Sequence, residues 1–280
     1  MANYKVIKGT FHVKGFEPDG DSIRFRADNE ANWNWSGFAW SNAKSKSTKK
    51  KQLRIEGIDA LETHYEDAKQ PPAFAIAALE RMLELIGITD VEYNLLVTTI
   101  ISAKDAVPGW IASSSVDTFD RPISFVFPAS TNLVDGAELA LKKIPLRESI
   151  NHKLAEEGIV YPTFYSTMGP ELIDAFQKVF VRTKKKRMGL WAVDRTSGFR
   201  LWNVNTIQED VIIMPKLFRR LIAFFNNAGD LTTFKQYLAT HPDPISTPGG
   251  EKLLAEILEI NGNRYGLKYS PEEIVFEPKG

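Results

Sequence analysis

Residues 5–14 alternate. Ile7, Gly9, Phe11 and Val13 interleave with Lys8, Thr10, His12 and Lys14, the two-residue period of a strand with one buried face. Pro18-Asp19-Gly20-Asp21 is a turn signal, and beyond it Ile23 and Phe25 alternate with Arg24 and Arg26, so the two runs read as a hairpin. A third strand is expected over 52–58, with Leu53 and Ile55 on one face and Arg54 and Glu56 on the other. Pro72 opens a helix that Gly87 closes, with Ile76, Leu79, Leu83 and Ile86 at helical spacing. Strands return at about 91–102 and at 122–128, where Ile123, Phe125 and Phe127 alternate.

After that the period turns helical. Ser149 to Glu157 reads as a short helix ended by Gly158. Pro170 starts a longer one with Leu172, Phe176, Val179 and Phe180 on a face, an acidic beginning and a basic end, as the helix dipole favours. Five strands with a helix after the third fit an α+β, mainly β fold: a five-stranded closed barrel of the OB type with three helices. Three connections, 27–51, 103–120 and 129–147, are long for such a barrel. Residues 1–195 are expected to form this domain, with 27–51 as an insertion. Residues 196–280 are expected to form a C-terminal helical extension, with helices near 206–226, 231–240 and 249–260. In it Ile212, Ile213, Leu217, Leu221, Phe224 and Phe225 make an apolar stripe, suited either to the core of a small helical module or to a partner or second copy of the chain.

Composition narrows the classes. The chain has no cysteine, which removes disulfides, thiolate zinc sites and cysteine nucleophiles. No run approaches the ~18 apolar residues of a membrane span. The start carries Lys5 and Lys8 and no apolar signal core, so the expectation is a cytoplasmic protein, although a mature secreted form would look the same. The 35 basic and 35 acidic residues cancel overall, but 1–51 hold ten basic and five acidic side chains. That imbalance fits a localised phosphate-facing surface.

Three polar clusters exceed what barrel packing requires. They are Asp19-Gly20-Asp21-Ser22, the run Arg54-Ile-Glu-Gly-Ile-Asp59-Ala-Leu-Glu62, and Asp120-Arg121-Pro122. Taken singly they also read as an Asp-Gly turn, a salt-bridged strand end and surface charge. Taken together, carboxylates suit a hard cation, two arginines suit a phosphate, and a further carboxylate suits activation of water. That is equipment for phosphodiester hydrolysis.

These clusters, in this order and separated by a helix, resemble the staphylococcal nuclease (thermonuclease) family. Asn151-His-Lys-Leu-Ala-Glu-Glu-Gly158 is similar to the family's N-x-x-L-x-x-x-G helix, and Met188-Gly-Leu-Trp191 to the close of its last helix. The resemblance covers about residues 5–195. It implies a Ca²⁺-dependent nuclease on an OB barrel that hydrolyses DNA or RNA with little sequence specificity. By the same resemblance, Asp21 and Asp59 supply metal carboxylates and the Ala60 main-chain carbonyl a third ligand. Glu62 corresponds to the general base, and Arg54 and Arg121 to the arginines on the phosphate. Leu61 stands in place of a proline, and Phe119-Asp120 in place of Tyr-Gly. The rival expectation is a nuclease-like barrel that has lost catalysis and binds nucleic acid or a protein partner.

Two further groups are candidates for nucleic-acid contact. In the insertion, Trp33, Trp35 and Trp40 precede Lys49, Lys50 and Lys51, a mixture that suits base stacking with phosphate pairing and equally suits tryptophans packed under a solvated lysine turn. Tyr161, Phe164 and Tyr165 could form a second stacking wall.

Overall fold

The computed structural model describes residues 3–95, 98–227 and 230–278. They form two compact units, one of residues 3–56 and 78–154, the other of 57–77 and 155–278. This division differs from one placed at residue 195.

The first unit is built on a closed five-stranded mixed barrel. Its strands are β1 (Asn3–His12), β2 (Ser22–Ala27), β3 (Lys50–Ile55), β4 (Val107–Val116) and β5 (Pro122–Pro128). The order β2-β3-β5-β4-β1 closes because β1 also pairs with β2, and only β3 and β5 run parallel. Phe11, Phe25, Leu53, Ile55, Ile111, Phe125 and Phe127 fill the interior. Gly9 and Gly109 face each other across β1 and β4, and a Cβ on Gly9 would lie 2.1 Å from the Arg26 carbonyl oxygen. Closure at that crossing therefore needs glycine.

Four of the five expected strands fall where alternation places them. The fourth does not. Residues 91–102 hold only the short pair Glu92–Tyr93 and Ile100–Ser102, with 96 and 97 outside the described residues. The barrel strand is β4, inside the stretch expected as a long loop. Its sequence, VPGWIASSSV, blurs alternation because Gly109 lies against the Phe11 ring and the Phe127 carbonyl with no room for a side chain, and the buried Ser113 donates its hydroxyl to the Ile123 carbonyl.

The helices α1 (Pro72–Ile86), α2 (Ile150–Glu157) and α3 (Pro170–Lys185) match the expected three. In the second unit, a five-stranded sheet runs 250–253, 244–247, 275–276, 161–165, 57–59. The C-terminal stretch therefore supplies three strands to a sheet that also holds Gly57–Asp59, which corrects the expectation of a helical extension. Helices α4 (Pro215–Asn226) and α5 (Phe234–Thr240) do form there, but 249–260 is a strand, one helical turn and a strand. Gly250, at φ +90°, turns a hairpin that helical spacing of leucines disguised. No helix among the described residues is long and apolar enough to cross a membrane.

Candidate functional site

The expected site residues divide between the units. In the first, Ser22 of β2 pairs with Arg54 of β3, and the Ile55 N–H donates to the Asp21 carbonyl at 2.9 Å. This register sets the Arg54 guanidinium against the buried Asp21 carboxylate, to which Nη1 donates. The nearby Asp19 accepts from the Ser22 hydroxyl at 2.5 Å, completing the turn.

Arg121 sits at the entry to β5. Asp117 accepts from its backbone N–H at 2.9 Å and from Nε at 2.7 Å, one of the five donors a guanidinium carries. Asp120 beside it has φ +59°, a left-handed conformation that aspartate tolerates better than most residues. The backbone at Asp120 thus takes a path that glycine also allows. Asp120 accepts from the Ser41 N–H at 2.6 Å, the Ser41 hydroxyl at 2.6 Å and the Asn42 amide at 2.9 Å. Those hydrogen bonds hold its carboxyl below the usual range. They also tie the insertion to the turn that carries Arg121.

The insertion is folded around its own aromatic cluster. Trp33 is 2% exposed, with ring centroids 5.5 Å from Phe38, 6.1 Å from Trp40 and 6.4 Å from Phe25. The Trp40 indole donates to the Trp33 carbonyl. Lys51 is buried, its ammonium donating to the carbonyls of Ser45, Lys46 and Thr48 while lying 4.6 Å from the Trp40 ring and 5.2 Å from the Trp33 ring. Burial pulls the Lys51 pKa down to about 8. Trp33 and Lys51 are therefore packing residues, not nucleic-acid contacts, because they complete the cluster that holds the insertion. Trp35, Trp40 and Lys50 are half-buried, and Lys49 is exposed.

The second expected stacking wall is also corrected. Tyr161 and Phe164 are fully buried: Tyr161 packs on Trp191 and donates its hydroxyl to Asp194, and Phe164 packs on Phe180. Four consecutive residues, 161–164, are buried, so both faces of this strand are covered. Tyr165 is half-buried against Phe276.

In the second unit, Gly57 at φ +82° breaks the chain away from β3, and Asp59 ends the short edge strand paired with Tyr161. Asp59, Ala60 and Glu62 are all buried. Glu62 is held through its main chain: its N–H donates to the Gln70 side-chain oxygen at 3.2 Å, its carbonyl accepts from the Gln70 N–H at 2.9 Å, and the Gln70 amide donates to the Ile213 carbonyl at 2.8 Å. Leu61, between Ala60 and Glu62, is fully buried.

The residue missing from the sequence reading is Arg219. Helix α4 starts at Pro215 and buries Leu217, Phe218, Leu221, Ile222 and Phe224, leaving 216, 219, 220, 223 and 226 along the opposite row. From that row Arg219 Nη2 donates to Asp59 Oδ2 at 2.8 Å, Nη1 reaches Asp59 Oδ1 at 3.3 Å, and Nη1 also donates to Glu62. Burial works against its charge, but Asp59 and Glu62 hold its pKa well above the ordinary value. Arg220 forks onto Asp243, and Lys216, its pKa drawn down to about 8 by burial, lies 3.7 Å from the same carboxylate. The only local signal for this was three cations at helical spacing on an otherwise apolar segment.

Calcium needs several oxygen ligands at short range. Here both Asp59 oxygens and Glu62 Oε1 accept from a guanidinium, and among the described residues no group of three or more His, Asp or Glu side chains is spaced to hold a metal. Within the second unit, the Asp59–Glu62 pair as folded does not offer the oxygen set that Ca²⁺ needs. No family model matches the sequence, and no curated protein matches it.

Proposed function

We propose that the chain binds nucleic acid through its first unit, as an OB-type, nuclease-like barrel that does not rely on divalent-cation hydrolysis. The observation that carries this reading is the anchorage by Asp120. It fastens Ser41 and Asn42, which begin the helical turn Ala43–Ser47 with exposed Lys44 and Lys46, to the turn bearing Phe119 and Arg121. Phe119 is 78% exposed, with the Arg121 guanidinium 5.5 Å from its ring centroid. An open ring beside a guanidinium, with ammonium groups on the adjoining turn, offers a base a stacking face and a backbone its phosphate contacts. No base-edge reader is part of this set, so low sequence specificity follows.

Titration of fluorescein-labelled single-stranded DNA and RNA, followed by anisotropy at several salt concentrations, tests the reading. Binding should weaken steeply with salt, and Phe119→Ala and Arg121→Ala should each weaken it about tenfold, the size of one lost stacking or charged contact. Binding unchanged in both variants would refute it.

Calcium-dependent phosphodiester hydrolysis, which the family resemblance implies, is the second reading, and it requires Ca²⁺ to displace Arg219 from Asp59 and Glu62. Incubation of plasmid with Ca²⁺ or chelator, beside Glu62→Gln, decides it: Ca²⁺-dependent nicking lost in the variant would establish hydrolysis.

A further inference from the structure

We infer that Arg219 is the resident cation of the Asp59–Glu62 pair, standing where a divalent ion would otherwise bind, so that the wild-type chain takes up no Ca²⁺ there. The inference is independent of nucleic-acid binding by the first unit.

Three observations carry it. The two carboxylates are buried and fixed, Asp59 by strand pairing with Tyr161 and Glu62 by the Gln70 bridge to Ile213. The guanidinium takes both oxygens of Asp59 in a fork and reaches Glu62 with the same nitrogen, so one planar cation engages the pair. Its helix has no easy exit, because withdrawing α4 would expose Leu217, Phe218, Leu221, Ile222 and Phe224, all buried. Arg219 is part of the packed unit.

Electrostatics sets the exclusion. A Ca²⁺ ion would compete for the Asp59 oxygens and the Glu62 Oε1 that the guanidinium engages, at about 2.3–2.6 Å by the usual oxygen geometry. It would also place two further positive charges beside Arg219, with Lys216 three residues away on the same row. Two carboxylates would then face three formal positive charges, a balance that disfavours the ion. A neutral side chain at 219 would leave two buried negative charges and no counter-charge from this position, the condition that favours uptake of a hard cation.

The test is a thermal-unfolding titration of the full chain with CaCl₂ against a NaCl control of equal ionic strength. Wild type should show no Ca²⁺-specific change in Tm. Arg219→Gln should melt lower and recover by about 3 °C or more as Ca²⁺ saturates its site. Arg219→Gln combined with Asp59→Asn should lose the recovery. If Arg219→Gln is unfolded without Ca²⁺, circular dichroism should show it folding as Ca²⁺ is added. A saturable Ca²⁺ stabilisation of wild type that Asp59→Asn abolishes would overturn the inference, as would an Arg219→Gln chain that ignores Ca²⁺, folded or not. Neither result bears on the DNA and RNA titrations, so the two readings fail separately.

Discussion

Lys51 in the insertion of the first unit is a buried cation, Arg219 on α4 of the second is a half-buried one set against two buried carboxylates, and they are held in opposite ways. Lys51 is surrounded by dipoles and ring faces: three carbonyl oxygens at 2.8–2.9 Å and two indoles. Arg219 is surrounded by formal charge, with two carboxylates in direct contact. Burial lowers the pKa of each, yet Lys51 falls to about 8 whereas Arg219 rises well above its ordinary value. Dipoles make burial of a charge tolerable, and counter-charges make it obligatory. The first cation can be removed with little consequence. Removing the second strands its partners.

The largest effect should therefore come from Arg219→Met. It leaves Asp59 and Glu62 buried without this counter-charge, and breaking a buried pair from one side costs about 3–5 kcal/mol. Urea unfolding at pH 7 should show a lower midpoint with an unchanged slope, and Asp59→Asn should cost less because Glu62 keeps the guanidinium paired. Equal losses in Arg219→Met and in Lys51→Met would abolish the contrast between the two cations.

Glu56 sharpens the comparison from the acidic side. It is buried at the end of β3, shares a hydrogen bond with Tyr4, and its Oε2 has no hydrogen-bond partner among the described residues. With no cation in that hydrogen-bonded set, burial pushes its pKa up from the ordinary 4.5 to about 8. Between those values the folded chain holds a proton that the unfolded chain has lost, so stability falls as pH rises through the window. The decline is at most about 1.4 kcal/mol per pH unit for one group. Glu56→Gln cannot ionise, so its advantage over wild type should be absent near pH 4, grow from pH 5 to 8 and then level. Parallel stability curves for the two chains would show that Glu56 is already charged in the fold.

These three charges also mark how far the sequence could be read. Strict alternation located β1, β2, β3 and β5, and Pro and Gly punctuation located α1, α2 and α3, because both signals are local. Strand β4 escaped because Gly109 makes backbone contact where alternation would seek an apolar side chain. Asp59, Glu62, Arg54 and Arg121 were visible as polar residues where packing needs none. Arg219 was not, since it meets Glu62 across 157 positions of sequence. The polar row on α4 shows that it faces something polar, and only the fold says which carboxylates. The insertion was ambiguous for another reason. Tryptophans beside lysines have the same composition whether the rings stack on bases or on one another, and the choice was made by Lys51, which turned inward to the carbonyls that end Ala43–Ser47.

Lys51→Met should have the smallest effect of the three. The methionine keeps an apolar stem of similar reach beneath Trp33 and Trp40, so the aromatic packing survives. What is lost is the ammonium on three carbonyls, and the helical turn that carries them is largely exposed, with Lys46 and Thr48 open to solvent. Water can replace the donor there, which limits the cost to about 1 kcal/mol, the net worth of an ordinary hydrogen bond. The sign of its pH dependence is opposite to that of Glu56. The Lys51 pKa is lower in the folded chain, so the unfolded chain binds the extra proton between about 8 and 10.5, and wild type gains stability as pH rises through that window. In Lys51→Met this alkaline gain should vanish while stability at pH 7 changes little. A loss at pH 7 as large as that of Arg219→Met would mean that the ammonium, not the ring cluster, holds the insertion on the barrel.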